Sequence, residues 1–150
     1  MTTAATSPSS KGELTRQSIL DAAIVRFGRD GYRATSVADI ARDAAVSGTA
    51  AYAHFPNKEA LFLAALDEDA AAVISEGVLH LLDDSVASAE WHETLILTLV
   101  AAVDRHPLAR RVIAGLEPDV TDRVIDIPAM LELRKTVAAR LRADQAAGRV

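Results

Sequence analysis

Apolar residues recur at helical spacing along most of the chain, and where the rhythm stops the sequence supplies residues that stop helices. From Leu14 to Arg29, Leu20, Ala23 and Phe27 fall on one face. Asp30-Gly31 ends that run, because glycine adopts the left-handed conformation after a helix without a Cβ clash. Thr35 or Ser36 is placed to cap a short second helix through Ala44, with Val37, Ile40, Ala41 and Ala44 facing inward. After a tight Ala45-Val46 turn, Ser47 offers an N-cap for a third helix, Gly48 to His54, and Pro56-Asn57 stops it. A long fourth helix runs from Lys58 to about Leu82, and Asp83 to Glu90 reads as a loop. Trp91 to Arg105 is apolar on nearly every side, the pattern of a helix central to a bundle. Pro107 opens the next helix, which Gly115 and Pro118 close. The last begins near Pro128, with Met130, Leu133, Val137 and Leu141 as its stripe and Gly148 at its end. About seven helices and no internal repeat result: an all-α fold.

Composition supports that reading. Half of the residues are hydrophobic but only 4% are aromatic, so burial must come from closely packed helices rich in alanine. There is no cysteine, which removes disulfides and thiolate metal sites and agrees with a cytoplasmic location. The first ten residues, MTTAATSPSS, have neither charge nor apolar run and read as a disordered arm, taken here to residue 12. The longest strongly apolar stretch, Leu95 to Val103, cannot span a bilayer. The net charge of -5 argues against a protein that coats nucleic acid generally. However, residues 11 to 60 hold seven Lys and Arg against six acids, so that segment is +1 and the remainder -6.

Two short helices joined by a turn of three or four residues form the geometry that sets a second helix into a DNA major groove, and Val37 to Phe55 supplies it. Ala41 and Ala51 are small where the two helices must cross closely, and Val46 can plug the core beneath the turn. In order from Ile19 to Phe62 stand Ile19-Leu20-Asp21-Ala22-Ala23, Phe27, Gly31-Tyr32, Ala34-Thr35-Ser36-Val37, Asp39-Ile40-Ala41, Val46-Ser47, Tyr52, His54-Phe55 and Asn57-Lys58-Glu59-Ala60-Leu61. With these pieces the run resembles the DNA-binding domain of TetR-type transcriptional regulators. The resemblance implies a three-helix head over residues 13–57. It also implies a helical effector-binding and dimerisation domain over residues 58–150, incomplete here because two further helices of the family are expected after Val150.

By the same resemblance, Tyr52, His54, Lys58 and the hydroxyls of Thr35 and Ser36 would contact backbone phosphates. Lys58 lies in the first turn of the fourth helix, where the dipole disfavours a cation, and a phosphate bridging it to the free amides would resolve the conflict. The chain departs from the family in the reading helix and its turn. Ala45 stands where glycine is common and Thr49 where glycine is usual, Ala50 replaces a hydroxyl or amide, and Ala51 replaces a larger apolar residue. Ser47 caps the reading helix, and the groove-facing candidates are Ala38, Gly48, Thr49, Ala50 and Ala53, among which only Thr49 is polar. With no Arg, Gln or Asn for bidentate readout, specificity is expected from Thr49, methyl contacts and DNA shape, assisted by Arg42 or Arg33.

In the second half, Trp91, His92, Thr94, Thr98 and Met130 are candidates for a mainly apolar effector pocket. No cofactor or metal is implied: His92-Glu93 lacks a second histidine at zincin spacing, and the four histidines, 54, 80, 92 and 106, form no ligand pattern. Neither a phosphate-binding glycine loop nor a nucleophile elbow appears, so an enzyme is not expected. The expected function is a sequence-specific transcriptional regulator, a repressor released from a palindromic operator by a small molecule and acting as a homodimer. The alternative is a ligand-binding or interaction protein whose DNA regulation is impaired by missing dimer helices.

Overall fold

The computed structural model describes residues 10–81 and 91–149. The expected loop at 83–90 and the arm before Ser10 lie outside those residues. Among the described residues the chain is all helical: α1 (Lys11–Asp30), α2 (Val37–Asp43), α3 (Gly48–His54), α4 (Lys58–Leu81), α5 (Trp91–Val103), α6 (Pro107–Ile113), α7 (Thr121–Val124) and α8 (Pro128–Ala146). The single turn of α7 is the element that periodicity did not predict. It is too short to show a period.

Helix α1 begins three residues before the expected Leu14. Ser10 Oγ accepts from the Glu13 amide at 3.1 Å, and the Glu13 carboxylate accepts from the Ser10 amide at 3.2 Å. This capping box satisfies two amides that would otherwise lack partners, so residues 11 and 12 belong to the helix and not to the arm.

The first three helices bury Ile19, Leu20, Ala23, Phe27, Val37, Ile40, Ala41 and Ala51 together with Leu61, Phe62, Ala65 and Leu66 of α4. Phe62 meets Phe27 edge-on at 5.0 Å and Tyr32 edge-on at 5.2 Å. This core does not stop at residue 57. It continues through Leu108, Val112, Val120, Ile127 and Ala129, so the reading head and the following helices share one apolar interior.

Polar ties reinforce that union, and all of them run to α4, α6 or the loops around α6. Asp69 of α4 is buried and accepts the amides of Leu108 and Ala109 at 3.0 and 2.9 Å, capping the start of α6 from another helix. Asp67 does the same for α8, accepting from Ala129 at 2.8 Å. Glu117 Oε1, also buried, accepts from the Tyr32 amide at 3.0 Å and from Arg111 Nε at 2.6 Å. Helix α1 crosses α6 at Gly28, where a Cβ would fall 2.8 Å from the Pro107 Cβ.

Helix α5 is not the central helix its composition suggested. Leu95 and Ala102 are buried against neighbours, but Ile96, Leu97 and Val100 are 58, 69 and 64% exposed. It packs mainly on α4, touches α6, and meets α8 through Trp91, while Ile96, Leu97 and Val100 stay in solvent. An all-round apolar pattern reports the burial a helix is suited to, whereas actual burial needs a partner on each face.

Candidate nucleic-acid interface

Local capping defines the reading unit. Ser36 Oγ accepts from the Asp39 amide at 3.1 Å and Ser47 Oγ from the Ala50 amide at 3.0 Å, so each short helix starts at a serine that supplies one missing acceptor. Of the two residues considered for the first cap, Ser36 holds it. The turn between the helices closes with the Ala45 amide on the Arg42 carbonyl at 3.1 Å and the Val46 amide on the Ala41 carbonyl at 2.9 Å. That pair of bonds requires a left-handed residue between them, and Ala45 takes it at φ 56°. Ala41 and Ala51 are both buried, as the close crossing demands.

The frame is braced by charge. Arg26 of α1 donates Nε and Nη2 to the two Asp43 oxygens at 2.6 and 2.8 Å, pinning the end of α2. The guanidinium is raised above its ordinary pKa, chiefly by the hydrogen bond to Asp43, and Asp43 is lowered by the same bond. Asp39 is lowered first by its hydrogen bonding with Ser36. A neutral α1 position would leave α2 tied only by its apolar face, yet nothing in the helical pattern singles out Arg26. Only the fold brings it to Asp43, seventeen residues away.

The sequence-predicted residues separate into an outer and an inner set. Ser36, Arg42, Ser47, Gly48, Thr49 and Tyr52 are exposed, Ala50 and His54 partly so, and a Cβ on Gly48 would meet open space. Tyr52 keeps 54% of its surface in solvent. Ala38 and Ala53 are exposed as well, and Arg33, also exposed, is bonded to Asp119 between α6 and α7 at 2.6 Å.

Thr35 belongs to the inner set. It is 2% exposed, and its hydroxyl oxygen is shut off from solvent without a hydrogen-bond partner among the described residues. A phosphate cannot reach that oxygen in this conformation, so the expected hydroxyl contact is not formed by this geometry. Lys58 also turns inward: its Nζ donates to the carbonyls of Tyr32 at 2.9 Å and Thr35 at 3.2 Å, and sits 4.3 Å from the Tyr32 ring centroid. The cation in the first turn of α4 is therefore compensated by two carbonyls and an aromatic face. An ammonium has three donors, so one N–H remains for an outside acceptor. Asn57 Oδ1 caps α4 by accepting from Ala60 at 2.8 Å, which removes one of the amides expected to bind anion there.

The five pocket candidates lie on α5 and at the start of α8. Trp91 is buried with its indole N–H on Asp144 at 2.8 Å, His92 is exposed, Thr94 and Thr98 are half-buried on α5, and Met130 packs on the main core. Asp144 is held well below the usual carboxylate range, first by the hydrogen bonds from Arg149 and then, against burial, by the Trp91 bond. A groove between α4 and the start of α8 is walled by Leu63, Ala64, Asp67, Arg123, Ile127 and Pro128, none of them a predicted pocket residue.

Comparison with known proteins places the described geometry in context. Residues 19–65 match the model for bacterial regulatory proteins of the tetR family. The HTH-type transcriptional repressor ComR of Escherichia coli strain K12 is 41% identical over 76 residues, covering 49% of this chain and 36% of the relative. The repressor AcnR of Corynebacterium diphtheriae is 35% identical over 88 residues, 56% of this chain and 46% of the relative. The chain thus spans less than half the length of either curated relative. A tetR-family transcription regulator structure from Shewanella sp. PV-4 superposes with a TM-score of 0.71 at 26% identity, covering 89% of this chain and 71% of that one.

Proposed function

We propose, from the premise that this chain belongs through residues 19–65 to the tetR family of bacterial regulatory proteins, that it is a DNA-binding transcriptional regulator reading duplex DNA with α3. The observation that carries the proposal is the reading unit itself. Two serine-capped helices are locked by a left-handed turn and an Arg26–Asp43 brace, and leave Ser36, Ser47, Thr49 and Tyr52 exposed. Both curated relatives described above are repressors, which supports repression as the mode of action.

In this reading Ser36, Tyr52 and His54 meet phosphates directly, and Lys58 acts mainly by holding the Tyr32–Thr35 loop, offering its remaining N–H outward. Thr49 is the one polar side chain among the groove-facing positions Ala38, Gly48, Thr49, Ala50 and Ala53. Specificity therefore rests on it, on methyl contacts and on DNA shape, with Arg42 at the flank. Weak readout per half-site makes a homodimer on a palindrome with half-sites about 34 Å apart the natural working form. Release by a small-molecule effector, and action in the cytoplasm, complete the proposal. Among the described residues no helix is long and apolar enough to cross a membrane.

The test is selection of duplexes from a random pool by the full chain, followed by footprinting and sedimentation. A palindromic consensus bound by a dimer is expected. Thr49→Ala should change the selected consensus, whereas Tyr52→Phe should weaken all duplexes alike. Selection that enriches no sequence, or a consensus untouched by Thr49→Ala, would overturn the assignment of reading to α3.

A further inference from the structure

The head carries seven Lys and Arg between residues 11 and 60, and the fold consumes most of them internally. Arg26 is spent on Asp43, Arg29 on Asp30, Arg33 on Asp119, Arg42 on Asp39, and Lys58 on two backbone carbonyls. Lys11 and Arg16 have no ion pair among the described residues. Both stand on the first two turns of α1, and both are exposed.

Arg16 is held in a particular place. Its guanidinium carbon lies 5.1 Å from the centroid of Phe55, the residue that caps the C-terminal end of α3. Phe55 follows His54 directly and Tyr52 by three residues, so the ring that Arg16 lies over stands about one helical turn from the predicted phosphate contacts. Stacking uses the face of the guanidinium and leaves its N–H donors in the plane, in the fork that matches a phosphate. The other head arginines each have a carboxylate partner, whereas Arg16 has none among the described residues.

We propose that Arg16 is a further backbone-phosphate contact of the reading head, positioned by Phe55 so that the DNA strand passing the end of α3 continues over the start of α1. This rests on α3 being the groove helix. The contact carries no sequence information and supplies affinity where the base-facing surface has few long polar groups.

The test uses the full chain and a labelled mixed-sequence duplex of roughly 20 base pairs, titrated between about 50 and 200 mM salt. Arg16→Gln should make the log–log salt slope shallower by about 0.9 and lower affinity about threefold or more at the low-salt end, with circular dichroism unchanged. Arg16→Lys, which keeps the charge, should keep the slope. Wild type and Arg16→Gln binding with the same slope would overturn this contact alone, and so would equal loss in Arg16→Lys, which would mean that packing on Phe55 rather than charge matters. Should Arg16→Gln lose helicity, Arg16→Lys decides: a retained slope supports the contact and a reduced one overturns it. A wild-type chain that binds no duplex at low salt overturns the reading of α3, and this inference with it.

Discussion

Replacing Ala45 by glycine should stabilise the protein, and the size of the effect follows from one backbone angle. Ala45 sits at φ 56°, where the Cβ of an L-residue crowds its own carbonyl at a cost of about 1–2 kcal/mol. The turn cannot relax to negative φ without losing the Ala45–Arg42 and Val46–Ala41 bonds that orient α3 against α2. Glycine removes the crowding but adds freedom to the unfolded chain, returning about 0.5–1 kcal/mol. The net gain is about 0.5–1 kcal/mol, which for a chain of this size raises Tm by about 1–4 °C. Two other helix ends closed by the same pair of bonds already carry glycine, Gly115 at φ 73° and Gly148 at φ 69°. The assay is thermal unfolding by circular dichroism of wild type, Ala45→Gly and Ala45→Val. The β-branched variant should melt below wild type, because its second γ-carbon meets the same carbonyl. Ala45→Gly melting at or below wild type, or Ala45→Val melting above it, would refute the argument that this turn is strained.

Lys58→Met keeps most of the packing on Tyr32 but leaves the Tyr32 and Thr35 carbonyls without their charged donor; a loss of about 2 kcal/mol in urea unfolding is expected, and an unchanged midpoint would return Lys58 to the surface. Gly28→Ala should cost about 1–3 kcal/mol, because the new methyl meets Pro107 at 2.8 Å and backbone of Leu108 at 3.1 Å, and a neutral result in the same assay would show that α1 and α6 can part freely. For Asp144 the sign is that of a depressed carboxylate: its contribution is complete above the ordinary value of 3.8 and is lost as pH falls through the lower folded value. Urea midpoints should therefore fall more steeply below about pH 4 for wild type than for Asp144→Asn; parallel curves would remove Asp144 from the acid response.

Much of the head was legible because it is built from short-range rules. Ser36 and Ser47, Gly31, Pro56-Asn57 and the apolar spacing of α1 to α3 each act within a turn of their own position, and a capping box at Ser10–Glu13 was present in the spacing although the apolar stripe alone hid it. The left-handed state of Ala45 was conditional on the turn and became definite with its two hydrogen bonds. Local reasoning did not show the inward contacts of Lys58 or the burial of Thr35, for a common cause. Whether a hydroxyl or ammonium faces solvent depends on what packs above it, and here Tyr32 and the backbone of the α1–α2 loop decide.

The second half shows the same division more sharply. Helix order and the breaks at Pro107, Gly115 and Pro128 follow from chain chemistry that acts over three or four residues. Trp91, by contrast, donates to Asp144, fifty-three residues later, a partnership no periodicity contains. The exposed face of α5 likewise depends on which helices reach it. The sequence by itself determined an all-α chain with a capped helix-turn-helix near its start, since caps, breakers and stripes are local. Only the tertiary structure decided which cations are paired with carboxylates, because pairing joins residues such as Arg26 and Asp43 or Arg33 and Asp119 that are distant in the chain.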